Sequence, residues 1–98
     1  MLTREYLLDL IDKIKNIVPI DKVDFHIQLD SCKQSVEYSA PELFYLRYQT
    51  LQETLFDNMP KDNEIPTEEW QYDIMSLISN KSKEDIKKYY NLLMEKDK

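Results

Sequence analysis

The sequence predicts a small α+β domain, mostly α, with an N-terminal helix, a short β-hairpin and a three-helix C-terminal part. Apolar residues recur at helical spacing in four segments, whereas they alternate with polar residues in two. A chain of 98 residues can build one hydrophobic core but is too short for two. We therefore expect a single domain over 1–98, with the helix and hairpin in 1–41 and the three helices in 42–98.

The first element is a helix from Thr3 to Val18. Its apolar residues lie three or four positions apart: Leu7, Leu10, Ile11, Ile14, Ile17 and Val18. Pro19 ends it, because proline has no N–H to continue the helix. Charged residues every few positions also exclude a signal peptide and a membrane span here.

The segment after Pro19 has the pattern of a half-buried strand. Its apolar residues alternate with polar ones: Val23, Phe25, Ile27 and Leu29. Val36 and Tyr38 repeat the alternation after the sequence DSCKQ, which predicts a two-stranded hairpin. Its exposed edge is a candidate homodimer seam, since edge strands carry unpaired backbone groups, and the alternative is a solvated hairpin packed on the helices.

The next helix is predicted to run from Ser39 to Asn58. Ser39 and Glu42 have the spacing of a capping box, with Pro41 in the first turn. An apolar stripe follows, and two leucines widen it: Phe44, Tyr48, Leu51 and Leu55, with Leu43 and Leu46 beside them. The segment MPKDNEIP then breaks the chain.

Two short helices complete the prediction. Thr67 is the expected cap of the first, whose apolar stripe is Trp70, Ile74, Leu77 and Ile78. Asn80 should end it, since asparagine tolerates left-handed backbone in a chain without glycine. Ser82 is the expected cap of the second, whose stripe is Ile86, Tyr89, Tyr90 and Leu93.

Charge limits the classes of partner. The chain has 13 basic and 19 acidic residues and a net charge of −6, which argues against binding to nucleic acid through the overall field. A protein partner with a basic surface fits better. Three acids at the central break are candidate contacts for it: Asp57, Asp62 and Glu64. A charge run of this kind is also typical of a merely solvated surface.

No catalytic or metal set is evident, and no cofactor is implied. His26 and Cys32 are the only candidate base and nucleophile, yet the strand model places the first in solvent and the second in a turn. Asp24, Asp30 and Glu37 are a weak metal set that a closed hairpin would gather. A single cysteine favours a reducing, cytoplasmic location.

The C-terminal third resembles the second and third helices of a Myb/SANT domain. The matching residues are a tryptophan, aliphatics, a basic residue with serine, acids, paired tyrosines and a leucine: Trp70, Ile74, Leu77, Lys81, Ser82, Glu84, Asp85, Ile86, Tyr89, Tyr90 and Leu93. The family's first helix normally carries its own tryptophan, where this chain has Phe44 and Tyr45. A generic helical pair is the alternative.

The resemblance implies that Trp70 and the tyrosines are core residues and that the last helix presents a recognition face. That face holds Glu84, Lys87, Lys88 and Asn91. Myb repeats place it in the DNA major groove, whereas the more acidic SANT versions meet histone tails or other proteins.

These observations favour a small acidic, non-enzymatic protein-interaction module that regulates or inhibits a larger complex, of the kind that phages or mobile elements encode. The alternative is a Myb/SANT-like DNA or chromatin binder acting through Lys83, Lys87, Lys88 and Asn91. An enzyme is not expected.

Overall fold

The protein is all-helical wherever its structure is described. The computed structural model describes residues 1–61 and 64–96, and in these it contains five α-helices, one 3-10 turn and no strand. The helices are α1 (Arg4–Ile17), α2 (Val23–Glu37), α3 (Phe44–Asn58), α4 (Glu69–Ser79) and α5 (Lys83–Lys96). They form two compact units, Met1–Met59 and Pro60–Lys98, so α3 belongs with α1 and α2.

Helix α1 begins and ends where its sequence signals lie. The Thr3 hydroxyl accepts a hydrogen bond from the Tyr6 N–H at 3.0 Å, which satisfies one donor of the first turn. At the other end Val18 has extended backbone and Pro19 follows. The observed helix, Arg4–Ile17, thus confirms the prediction. The prediction succeeded because the cap, the apolar spacing and the proline all indicate the same bounds.

The predicted β-hairpin is wrong, because its residues form α2. The buried side chains of α2 are Phe25, Leu29, Cys32 and Val36, which lie on one face of a helix with 3.6 residues per turn. Val23 and Ile27 produced the apparent alternation, yet they are 59% and 60% exposed. Without a strand here, the proposed strand-edge dimer seam and the metal set that a hairpin would gather both fail.

The start of α3 also differs from the prediction. Pro41–Leu43 forms a 3-10 turn, and α3 itself begins at Phe44. Ser39 is buried and does not cap this helix; its hydroxyl donates to the Ala40 carbonyl instead. Leu43 and Leu46 are exposed, so they do not widen the buried stripe. The predicted end near Asn58 is confirmed.

The first unit is built around α2, which contacts both α1 and α3. Its core consists of aliphatic and aromatic side chains from the three helices: Leu7, Ile11, Ile14, Val18, Phe25, Leu29, Cys32, Val36, Phe44, Leu51 and Leu55. Polar pairs flank this core. Lys33 donates to Asp12 across the α1–α2 seam at 3.0 Å, and Asn58 donates to Gln28 across the α2–α3 seam at 2.7 Å. Both seams are therefore fixed in register.

Arg4 joins the ends of all three helices in this unit. Its guanidinium donates to the Ser39 carbonyl at 2.8 Å and to the Val36 carbonyl at 3.4 Å, at the end of α2. The same group lies 5.3 Å from the ring centroid of Phe44, the first residue of α3. Arg47 adds a hydrogen bond to the Ser39 hydroxyl at 3.3 Å.

The second unit is a helix pair with a thin core. Of its described residues, Ile74 and Ile86 are the buried aliphatic side chains. Others of the two predicted stripes are half-buried: Trp70, Leu77, Tyr90 and Leu93. Ile78 and Tyr89 are exposed, which corrects their assignment to the core. The cap of α4 is Glu68, one residue after the predicted Thr67, and the Gln71 side chain accepts from both of their N–H groups.

Paired alanine substitutions distinguish the helix from the strand. Leu29 is fully buried, so Leu29→Ala should lower the free energy of unfolding by about 2–5 kcal/mol. Ile27 lies outside the core, so Ile27→Ala should change it by less than about 0.5 kcal/mol. Urea denaturation followed by circular dichroism measures both. Equal losses for the two variants would contradict the helix, because a strand would bury both side chains on one face.

Candidate functional site

The turn between α4 and α5 follows the predicted signals. Asn80 has φ 61° and ψ 20°, the left-handed conformation expected of it, and its N–H donates to the Ser76 carbonyl. The Ser82 hydroxyl accepts from the Asp85 N–H at 3.2 Å, which confirms it as a cap of α5. The predicted end of α4 and start of α5 are therefore confirmed.

Two lysines of α5 are held by acids of α4. The Lys83 ammonium contacts the carboxylates of Glu69 and Asp73, the latter at 2.8 Å. The Lys87 ammonium donates to both oxygens of Glu69, at 3.1 and 3.0 Å, and lies 5.3 Å from the ring centroid of Tyr72. We call these four charged residues, Glu69, Asp73, Lys83 and Lys87, the ionic clasp.

The clasp shifts the pKa values of its own groups. The hydrogen bonds that the Lys83 ammonium donates to Asp73 and then to Glu69 raise the pKa of Lys83 above its ordinary value. Hydrogen bonds from Lys83 and then Lys87 lower the pKa of Glu69. Both groups therefore remain charged across the physiological range, and their charges are directed at each other.

The predicted recognition face on α5 is consequently smaller and less basic. Lys87 is half-buried and turned to α4, whereas Glu84, Lys88 and Asn91 are exposed. These three lie at positions i, i+4 and i+7 and carry one negative charge, one positive charge and an amide. The face is mixed in charge. Because Lys87 is paired with α4, Lys88 is the cation of this face that stays exposed.

A tyrosine that the sequence reasoning did not single out supports this helix pair. The Tyr72 hydroxyl donates to the Pro66 carbonyl at 3.0 Å, and its ring packs edge to face with Tyr90, with centroids 6.2 Å apart. Tyr72 lies two positions after Trp70 and four before Ser76, outside the predicted apolar stripe. Only the packing of α4 against α5 identifies its role.

The acids predicted at the central break separate into different places. Asp57 lies on α3 in an open groove whose other lining residues are Gln49, Gln52, Glu53 and Phe56. Glu64 is exposed in the segment that precedes α4, where its N–H donates to the Lys61 carbonyl at 2.9 Å. Asp62 lies outside the described residues.

The spacing of the groove residues in the sequence could have shown that they share one face of α3. Two amides, a ring and two carboxylates recur three or four positions apart from Gln49 to Asp57, on the side opposite the buried stripe. Within 1–61 and 64–96, neither Glu53 nor Asp57 forms an ion pair. The groove thus offers two uncompensated carboxylates beside an aromatic ring.

His26 and Cys32 are not brought together. The His26 Nε2 atom lies 3.1 Å from the carbonyl oxygens of both Val18 and Pro19, which places the ring at the α1–α2 turn. The buried Cys32 Sγ lies 3.5 Å from the Thr54 hydroxyl on the α3 side. Each residue has a structural partner, and the two do not form a nucleophile–base pair.

Neutralising Glu69 should flatten the acid dependence of the second unit's stability. Because folding lowers the pKa of Glu69, its stabilising contribution is present above the ordinary value of 4.5 and is lost as pH falls through the lowered value. Glu69→Gln removes that loss and should also lower stability at neutral pH. Urea unfolding followed by Trp70 fluorescence, between about pH 3 and pH 7, measures it.

Glu95→Gln is the matched control, since Glu95 is an exposed carboxyl elsewhere on α5. It should retain the acid dependence of the parent protein. The role of the clasp would be refuted if Glu69→Gln and Glu95→Gln gave the same dependence of stability on pH.

Comparisons with known proteins assign no family. No protein-family model, curated protein or solved structure matches the chain. The Myb/SANT resemblance therefore rests on the residue pattern of α4 and α5. None of the helices in the described ranges has the length and apolar character to cross a bilayer, and those ranges hold no group of three or more His, Cys, Asp or Glu suited to a metal ion.

Proposed function

We propose that this protein is a small, non-catalytic interaction module that regulates or inhibits a larger complex by binding a basic surface of a partner protein through the α3 groove. The observation that carries the proposal is the pair of uncompensated carboxylates, Glu53 and Asp57, beside the Phe56 ring. A cytoplasmic setting accords with the buried free thiol of Cys32.

The composition of the groove suits a protein surface. An aromatic side chain supplies apolar area, while Gln49 and Gln52 supply donors and acceptors without charge. The two carboxylates select a partner with Lys or Arg, and the net charge of −6 adds long-range attraction to such a surface. A groove with this arrangement provides both contact area and selection by charge.

The acids of α4 are less suited to this role. Glu69 and Asp73 are already paired with the lysines of the ionic clasp, so binding a basic partner there would first require breaking intramolecular ion pairs. Glu53 and Asp57 carry no such cost. This difference favours α3 as the contact surface over the helix pair.

Reversing the two groove charges should remove partner binding. Glu53→Lys with Asp57→Lys should reduce capture of the partner at least about tenfold, because attraction becomes repulsion. The measurement is a quantitative pull-down from extract of the source cell with mass spectrometry, at rising salt. Binding by the parent protein should weaken as salt screens the charges.

The control for this experiment is Glu37→Lys with Glu95→Lys. It changes the net charge by the same amount at exposed positions near the ends of α2 and α5, where helix dipoles tolerate cations. It should retain partner binding. Equal capture by both double variants, or equal loss, would refute the assignment of the α3 groove.

A Myb/SANT-like nucleic-acid binder is the second candidate, and the capped α5 with exposed Lys88 and Asn91 is the observation in its favour. Because the clasp occupies Lys83 and Lys87, duplex binding would depend on Lys88. Gel-shift titration of random duplex DNA at low salt should give no complex with the parent protein. A complex that Lys88→Glu abolishes and Lys13→Glu preserves would support this candidate instead.

A further inference from the structure

Two helices of this chain carry the same pattern of acids around an aromatic residue. The sequence ETLFD at 53–57 and the sequence EWQYD at 69–73 each have a glutamate, an aromatic residue three positions later and then an aspartate. These are the two places in the chain where an aromatic residue directly precedes an acid. We call the first set, Glu53, Phe56 and Asp57, the α3 triad.

The second set, Glu69, Tyr72 and Asp73, is the α4 triad. Both triads lie wholly within helices, α3 and α4. Residues three and four positions apart are neighbours on a helix, with about 5–6 Å between their Cβ atoms. In each triad the two carboxylates and the ring therefore share one face.

The α4 triad holds two cations from the helix that packs against it. The Lys83 ammonium contacts the carboxylates of both Glu69 and Asp73. The Lys87 ammonium donates to Glu69 and lies 5.3 Å from the ring centroid of Tyr72. Because these lysines are four positions apart on α5, one helical turn of basic side chains matches one triad.

The α3 triad has the same chemical groups but no cation on its acids. Across the described parts of the chain, no Lys or Arg forms an ion pair with Glu53 or Asp57. All three triad residues line the α3 groove, and Phe56 is 56% exposed. The groove is thus open at the position that corresponds to the lysine contacts of α4.

A second copy of the chain is poorly suited to occupy the α3 triad. Lys83 and Lys87 are the one pair of Lys or Arg residues four positions apart in the sequence. Both are held in the ionic clasp, so a copy would have to break its own ion pairs to bind. A different protein, with basic residues that have no such partners, does not incur this cost.

We infer that the α3 triad binds a helix of the partner protein that carries two basic residues four positions apart, in the way that the α4 triad binds α5. One cation would contact both carboxylates, and the other would contact Glu53 and the Phe56 ring. Docking of a helix in a groove is a common mode of recognition. The inference rests on the proposed function, since it names the partner element that occupies the same groove.

Two synthetic peptides test the spacing. Both are alanine-based helices of about 20 residues with identical composition, and their two lysines lie at i and i+4 in one and at i and i+2 in the other. Each is titrated into the ¹⁵N-labelled full chain and followed by NMR. The first should shift amide signals of residues 49–57 and bind at least about threefold more tightly, because its lysines share one face.

The second peptide also represents the alternative of an extended basic segment. Side chains two positions apart share a face in an extended chain and not in a helix. Equal affinity of the two peptides, tighter binding of the second, or shifts that lie outside residues 49–57 would each overturn the inference.

The aromatic member of the triad is tested with a matched pair of variants. Phe56→Ala should weaken binding of the first peptide about threefold, because a cation then loses its contact with the ring. Tyr6→Ala is the control, since Tyr6 lies on α1, is 51% exposed against 56% for Phe56, and is followed by leucine and not by an acid. It should leave binding unchanged. Circular dichroism verifies that both variants fold, and equal effects of the two would overturn the role of the ring.

The peptide result is separable from the partner capture described above. Loss of capture by Glu53→Lys with Asp57→Lys, together with equal binding of the two peptides, would support the groove and overturn the helical spacing. Unchanged capture by that double variant would overturn the proposed function, and with it the inference about the partner helix, even if the peptides differ in affinity.

Discussion

The hydrogen bonds of the Arg4 guanidinium are the interaction on which the first unit depends. A helix leaves its last carbonyl groups without partners, and the usual solution is a glycine after the final turn. This chain has no glycine; the guanidinium of Arg4 donates to the Ser39 carbonyl just beyond α2 and to the Val36 carbonyl, which also accepts from the Ser39 N–H. Because that group also lies against the Phe44 ring, one side chain links the start of α1 with the end of α2 and the start of α3.

The second unit also depends on polar side chains to link its helices, and it has fewer buried apolar residues than the first. Domains of fewer than about 40 residues bury too little surface to be stable by apolar packing alone. Here the ionic clasp and the Tyr72–Tyr90 contact hold α4 and α5 beside a core with few buried aliphatics. Lys83 and Lys87, which suggested a nucleic-acid-binding helix in the sequence, thus stabilise the helix pair, whereas Glu53 and Asp57 of α3 have no such intramolecular partner among the described residues.

The sequence was a reliable guide where independent signals agreed. The ends of α1 were predicted correctly from Thr3 and Pro19, and the turn between α4 and α5 from Asn80 and Ser82. These signals act within a few residues, so they can be recognised without knowing how the helices pack. The hairpin failed because Val23 and Ile27 face outward and imitate a two-residue period, while Cys32, dismissed as a turn residue, belongs to the buried stripe. For the site, acids and lysines could be named in advance. Their pairing could not, since it depends on how one helix lies against the next.

The position of Cys32 has a practical consequence. It is the only cysteine, and it is buried between α2 and α3, whereas the only tryptophan, Trp70, lies on α4. Alkylation of the thiol therefore reports transient opening of the first unit, and indole emission reports the second. The chain thus carries one chemical probe in the first unit and one optical probe in the second, so the opening of each unit can be followed on the unmutated chain.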